Sequence, residues 1–150
     1  MILEYFMIFT LSILTRIILG FINYTKSLGL ELSNEKDGTG FQNAITPPWF
    51  STLALIIYGF SIFFIISGFH KYSITTGFLY LGVYFITLVI VGAILFRPNT
   101  LSPLAKPFYH IVLNSIVNRH ANYIKKNDKI RADAMKIVLD RFKDVYKWLS

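Results

Sequence analysis

Two long apolar runs dominate the pattern of hydrophobic and polar positions along the chain. They cover Trp49–Phe69 and Ile74–Phe96, and only the short polar stretch from His70 to Ser73 separates them. Neither run contains an acidic or a basic residue. A helix of about 20 apolar residues crosses a hydrocarbon core of about 30 Å. The two runs therefore predict a transmembrane helical hairpin, with helices at about 49–69 and 74–97.

The N-terminal segment, at about residues 2–24, predicts a third apolar helix. It lacks the basic start and the small-residue cleavage site of a signal peptide, so we expect it to be retained. Arg16 lies near its centre, and a central Arg costs roughly 2.5–3.5 kcal/mol on insertion scales. The surrounding Ile, Leu and Phe side chains offset that cost. We expect a membrane span, and the alternative is a helix that lies in the membrane interface.

The segment between the first two predicted spans, residues 25–47, is predicted to be a polar loop. It is rich in turn-forming residues and includes the turn dipeptide Asp37-Gly38. The neighbouring Gly38-Thr39-Gly40 lacks the Gly-Lys-Ser/Thr ending of a phosphate-binding loop. Thr46-Pro47-Pro48-Trp49 then predicts a helix start with a cap, a tolerated proline and an aromatic residue at headgroup level.

The last third of the chain, residues 98–150, predicts an amphipathic tail of two helices. Phe108–Tyr123 has a helical pattern, but its apolar core is too short to cross a membrane. Asp128 is placed to cap a last helix that runs to Leu149. Helical spacing gives that last helix an expected apolar stripe, which consists of Ile130, Ala134, Ile137, Val138, Phe142, Val145 and Leu149.

The net charge of +7 resides in the tail. From Arg97 onward the chain has eleven Lys and Arg against four Asp, whereas the first 96 residues are neutral overall. Basic residues near membrane ends favour the cytoplasmic side. With three spans, the charge distribution predicts a cytoplasmic tail and an N-terminus on the outside, in an inner membrane of bacterial type.

Within the predicted spans, the candidate interaction residues are Arg16, Tyr80 and Tyr84. Arg16 either pairs with an anionic group, a lipid phosphate or a partner subunit, or extends its side chain toward the inner interface. The other two spans carry no acidic residue, so an intramembrane partner would belong to another chain or be a tyrosine hydroxyl. Tyr80, Tyr84 and Thr87 form a polar stripe that favours helix packing and leaves open a pore lining.

In the tail, five residues are candidate contacts with a partner protein or a lipid surface: Lys125, Lys126, Lys129, Phe142 and Trp148. A basic amphipathic helix binds anionic lipid headgroups, and an apolar helix face also docks into a groove of another protein. The aspartates interspersed along the last helix weaken the purely lipid-binding interpretation.

Several function classes receive no support from the residues. The chain has no cysteine, which excludes disulfides, thiolate metal sites and a cysteine nucleophile. The histidines, His70, His110 and His120, do not follow a metal-binding spacing. No catalytic constellation, cofactor motif or nucleic-acid-binding module is visible. We therefore expect no cofactor and no nucleic-acid partner.

These patterns together predict an all-α integral membrane protein with a transmembrane bundle in residues 1–97 and the basic helical tail in residues 98–150. The expected function is a non-catalytic subunit that anchors, scaffolds or stabilises a larger membrane protein complex. Its expected partners are the bilayer and other membrane subunits. One alternative is a component of a homo-oligomeric channel or transporter. A second alternative is a small membrane enzyme that acts on lipid.

Overall fold

A computed structural model describes residues 2–33, 39–95 and 104–145, and every regular element in those ranges is an α-helix. The helices are α1 (Ile2–Ser33), α2 (Thr39–Ile45), α3 (Pro48–Lys71), α4 (Ile74–Leu95), α5 (Ala105–Lys125) and α6 (Lys129–Val145). Three of them are long and apolar enough to cross a membrane: α3, α4 and the Ile2–Gly29 part of α1. The prediction of an all-helical chain with three such helices is confirmed.

A tight turn joins α3 to α4, as the hairpin prediction requires. Ser73 caps α4, because its Oγ accepts a hydrogen bond from the backbone N–H of Thr76 at 3.1 Å. The side chains of Ser73 and Thr76 also hydrogen-bond at 3.0 Å. One turn into α4, Gly77 lies so close to the ring of Phe69 on α3 that a Cβ atom would overlap it. The absence of a side chain at Gly77 thus permits the close approach of the two helices.

The chain divides into two compact units, and the bundle unit comprises residues 1–21 and 48–102. In it, α1 contacts α3 through the rings of Phe21 and Phe50, whose centroids are 4.5 Å apart. It contacts α4 through an edge-to-face pair of Tyr5 and Tyr80 at 4.8 Å. The other faces of α3 and α4 expose many large apolar side chains. That pattern suits helices whose outer faces meet lipid.

The tail unit comprises residues 22–47 and 103–150. Its core consists of aliphatic side chains with no exposed surface: Leu28, Ile45, Val112 and Ile116. The hairpin of α5 and α6 closes over a stacked pair, Tyr109 and Phe142, whose ring centroids lie 5.1 Å apart. The cap predicted at Asp128 is confirmed, since its Oδ1 accepts a hydrogen bond from the N–H of Arg131 at 3.2 Å.

Helix α1 is longer than the predicted 2–24, and the segment predicted as a polar loop at 25–47 is largely helical. The helix continues to Ser33, and α2 forms from Thr39 to Ile45. The physical reason is a continuous buried stripe in which Ile18, Phe21, Thr25 and Leu28 are each at most 3% exposed. Their spacing of three and four residues keeps one face of α1 buried beyond Tyr24.

The buried face of α6 also differs from the predicted stripe. Val138 and Phe142 are buried as predicted, but the other buried residues are Ala132 and Met135. Ile130 is 85% exposed and Ile137 is 56% exposed, so these two side chains point away from the hairpin core. The stacking of Phe142 on Tyr109 selects the face that α6 turns toward α5. The predicted stripe residue Leu149 lies outside the described residues.

Candidate functional site

At one end of the bundle unit, Glu4 of α1 binds the hairpin of α3 and α4. The hydroxyl of Tyr72 donates a hydrogen bond to Oε1 of Glu4 at 2.8 Å, and the hydroxyl of Tyr80 donates one to Oε2 at 2.9 Å. The ammonium of Lys71 lies 3.7 Å from the same carboxylate. The start of α1 and the tip of the hairpin therefore share one end of the unit, which is the arrangement that three consecutive spans require.

Tyr80 is the most enclosed member of this cluster, at 1% exposed. Its ring lies against Gly68 of α3, where a Cβ atom would come within 2.5 Å of Cδ2. Its hydroxyl reaches Glu4 on α1, so one side chain contacts all three long apolar helices. Within the bundle unit, Tyr80 thus packs between α3 and α1.

Farther along the same helix pair, a second group of hydrogen bonds joins α1 to α4. The hydroxyl of Ser12 donates to the backbone carbonyl of Tyr84 at 2.7 Å. The hydroxyl of Tyr84 donates to Oγ1 of Thr15 at 3.0 Å. Ser12 and Thr15 are buried, as is Thr87 one turn farther along α4. The predicted polar stripe of α4 is thus turned toward α1, within the protomer.

Arg16 lies near the middle of the apolar part of α1, and its guanidinium rests against Gly92 of α4. A Cβ atom at Gly92 would overlap the guanidinium, so the glycine creates the space that the cation occupies. The Nε atom of Arg16 is buried. The structure thus brings Arg16 to α4, whereas the hydroxyls of Tyr80 and Tyr84 bond to Glu4 and Thr15.

The predicted basic contact residues of the tail lie on the surface. Lys125, Lys126 and Lys129 are exposed around the turn between α5 and α6. Phe142 requires a correction: it is 0% exposed and packs on Tyr109, so it stabilises the hairpin and presents no surface to a partner. Trp148 lies outside the described residues.

Four other apolar side chains of the tail hairpin are exposed: Val117, Ile124, Ile130 and Ile137. Ile130 and Ile137 are seven residues apart on α6, which is two helical turns, so they lie on one face. Asp133 and Asp140 follow these isoleucines by three residues and are also exposed. We call Ile130, Ala134 and Ile137, with these two aspartates, the outer face of α6. It combines exposed apolar side chains with acidic neighbours.

Two further features of the tail unit involve polar groups. Arg119 of α5 donates a hydrogen bond from Nη2 to the backbone carbonyl of Thr46 at 2.6 Å, immediately after α2. A cleft of about 350 Å³ lies where α5 ends and α6 begins. It is lined by His120, Ile124, Asn127, Asp128, Lys129, Ala132 and Asp133. Within residues 2–33, 39–95 and 104–145, no group of three or more His, Asp or Glu side chains is arranged to hold a metal ion.

The cluster around Glu4 is the main feature that sequence reasoning missed. Glu4 is separated from Tyr72 and Tyr80 by 68 and 76 residues. A signal existed, because three spans place the N-terminus and the hairpin tip at the same end. An acidic residue at the start of α1 is then expected to lie close to Lys71 at the hairpin tip.

The chain was also compared with known proteins. No protein-family model matches it, and neither the curated proteins nor the solved structures include a match.

Proposed function

We propose that this protein is a non-catalytic integral membrane subunit. Helices α1, α3 and α4 anchor it in the bilayer, and the tail hairpin binds a second, different membrane protein. One observation carries the proposal: the outer face of α6 exposes Ile130 and Ile137 although the hairpin already has a complete core of its own. Paired exposed isoleucines on a helix outside the apolar spans are a surface that a binding partner would cover.

Two carboxylates beside these isoleucines favour a protein over a lipid surface as the occupant, although the exposed Arg141 also follows Ile137 by one turn. Asp133 is one turn from both Ile130 and Ile137, and Asp140 follows Ile137 by one turn. Carboxylates at these positions would be repelled by the anionic lipids of a cytoplasmic leaflet. The complementary partner is an apolar helix or segment flanked by Lys or Arg. Such a segment would cover the isoleucines and pair with the aspartates.

The bundle unit supports the anchoring part of the proposal. The polar side chains of α1 and α4 hydrogen-bond to one another at Glu4–Tyr80 and Thr15–Tyr84. Of the residues expected to line a pore in the alternative channel function, Tyr80 and Thr87 are at most 6% exposed, whereas Tyr84 and Arg16 are partly exposed. A bundle whose polar groups bind each other suits an anchor better than a conduction path.

Site-specific photocross-linking in native membranes tests the proposal. Because the chain has no cysteine, an Ile137→Cys variant carries one benzophenone label on the outer face of α6. We expect one heterologous membrane protein in the adduct, cross-linked through a segment rich in Lys or Arg. We also expect Asp133→Lys combined with Asp140→Lys to abolish that adduct, because the charges would then repel the partner.

A His110→Cys variant is the matched control, since His110 is exposed on α5 and lies outside the outer face of α6. It should not yield the same adduct. The proposal would be overturned if the label at residue 137 reacted only with lipid or with a second copy of this chain. An adduct that persists after the two aspartates are reversed would equally exclude the proposed charge complementarity.

A further inference from the structure

Arg119 of the tail unit makes a charge-assisted hydrogen bond to the end of α2. Its Nη2 donates to the carbonyl of Thr46 at 2.6 Å. The N–H and the hydroxyl of Thr46 both donate to the carbonyl of Gln42, at 3.0 and 2.7 Å. The carbonyl of Thr46 therefore points beyond the end of α2, where a cation is favourable because helix C-termini carry partial negative charge.

The position of Thr46 in the chain sets the depth of this contact. Thr46 is two residues before Pro48, the first residue of the apolar helix α3. Two extended residues span at most about 7 Å. Trp49 follows and is 55% exposed, and tryptophan at the end of an apolar span marks the headgroup level. If α3 enters a bilayer, the guanidinium of Arg119 lies among the lipid headgroups.

Arg119 retains donors for a second acceptor. A guanidinium has five N–H donors, and the described contacts of Arg119 use one of them. Its Nε atom is buried and makes no hydrogen bond to a described residue, while the residue as a whole remains partly exposed. The hydroxyl of Ser115, one turn earlier on α5, is also buried and makes no hydrogen bond to a described residue. Because Arg119 is partly exposed, its remaining N–H donors are available to an acceptor outside the described protein atoms.

We propose that Arg119 binds the phosphate of a phospholipid headgroup in the leaflet where α3 begins. A planar guanidinium binds phosphate oxygens through two parallel N–H donors, which makes arginine well suited to this ligand. The contact with Thr46 holds the guanidinium in place, so binding a lipid costs little additional side-chain ordering. The proposal depends on insertion of α3 into the membrane and is independent of the partner proposed for α6.

Native mass spectrometry of the full chain, purified in mild detergent and reloaded with phosphatidylglycerol, tests this site. We expect the wild-type protein to retain a phospholipid that Arg119→Gln binds about tenfold more weakly, because a charge-assisted hydrogen bond is lost. Arg119→Lys should fall between the two, since it keeps the charge and loses the fork of donors. Lys125→Gln removes an equal charge from the exposed end of α5 and should bind lipid like the wild type.

Two further arms separate binding from other causes. Gln42→Leu removes the weak side-chain bond from Gln42 to Thr25 but keeps the backbone carbonyl of Gln42 that accepts from Thr46, so this variant should bind lipid like the wild type. Equal lipid loss in Gln42→Leu and Arg119→Gln would overturn the proposal, as would equal retention in Arg119→Gln and Lys125→Gln. Inorganic phosphate that competes fully with the lipid at similar concentration would assign the site to free phosphate. Circular dichroism of each variant confirms that the helices remain folded.

Discussion

In the bundle unit, polar side chains hydrogen-bond to one another between helices. In the tail unit, apolar side chains project from the surface of a hairpin that already has a buried core. Glu4, Thr15 and Ser12 on α1 each have a partner on the α3–α4 hairpin. On α6, Ile130 and Ile137 are exposed although Phe142 already fills the hairpin core.

The difference indicates that the bundle unit suits an apolar environment and that the tail unit suits water. An apolar environment favours polar groups that hydrogen-bond to each other, because no water is present to hydrate them. In water, an exposed isoleucine row with acidic neighbours is a surface that a partner would bury. The contrast thus supports the proposed anchoring role of the bundle unit and the proposed recognition role of the tail unit. Variants that damage one unit while the other remains intact test this contrast.

The largest expected effect is in the tail, from Phe142→Ala. Phe142 is 0% exposed and stacks on Tyr109, so truncation leaves a cavity and should lower the free energy of unfolding of the tail by about 3–5 kcal/mol. Urea-dependent protection of the tail from protease, followed by intact mass, measures the change. Ile137→Ala on the exposed face is the control and should change protection little. If both variants lost protection equally, Phe142 would not be the core of this hairpin.

The second effect is in the bundle, from Gly77→Ala. A Cβ atom at Gly77 overlaps Cγ of Phe69, which is fixed to its own backbone and cannot move aside freely. We expect the free energy of unfolding to fall by about 1–3 kcal/mol, measured by thermal unfolding in detergent. Gly82→Ala on the same helix is the matched control, because its Cβ would meet no atom within 4 Å. Similar unfolding temperatures for the two variants would contradict the close packing of α3 on α4.

The sequence predicted the helices of the hairpin well because apolar length alone defines them. The predicted 49–69 became Pro48–Lys71, and the predicted 74–97 is observed as Ile74–Leu95, with the last predicted residues outside the described range. Charge-free runs of this length suit few structures other than a buried or membrane helix. No knowledge of neighbouring elements was needed.

The features that depend on neighbours were less predictable. The extension of α1 beyond Tyr24 follows from the buried stripe that includes Thr25 and Leu28, but the polar residues around it suggested a loop. On α6, several faces carry apolar residues, and only the contact of Phe142 with Tyr109 on α5 selects the buried one. The choice between competing faces of a helix requires its partner.

The candidate residues show the same limit. Arg16, Tyr80 and Tyr84 were identified as unusual because polar groups are costly in an apolar helix. Their actual contacts, with Gly92, Glu4 and Thr15 respectively, join positions far apart in the chain. The sequence therefore predicted which groups require a partner, and the three-dimensional structure was needed to identify most of the partners.

The smallest expected effect compares two tyrosines that donate to the same carboxylate. Tyr80→Phe removes a hydrogen bond to Glu4 from a side chain that is 1% exposed, so we expect a loss of about 1 kcal/mol in thermal unfolding. Tyr72→Phe removes the other bond, but Tyr72 is 40% exposed and water can replace its hydroxyl. The free energy of unfolding of Tyr72→Phe should therefore fall by less than about 0.5 kcal/mol. Equal losses of unfolding free energy in the two variants would mean that water reaches Glu4. Burial of polar pairs would then not distinguish the Glu4 end of the bundle unit from the tail unit.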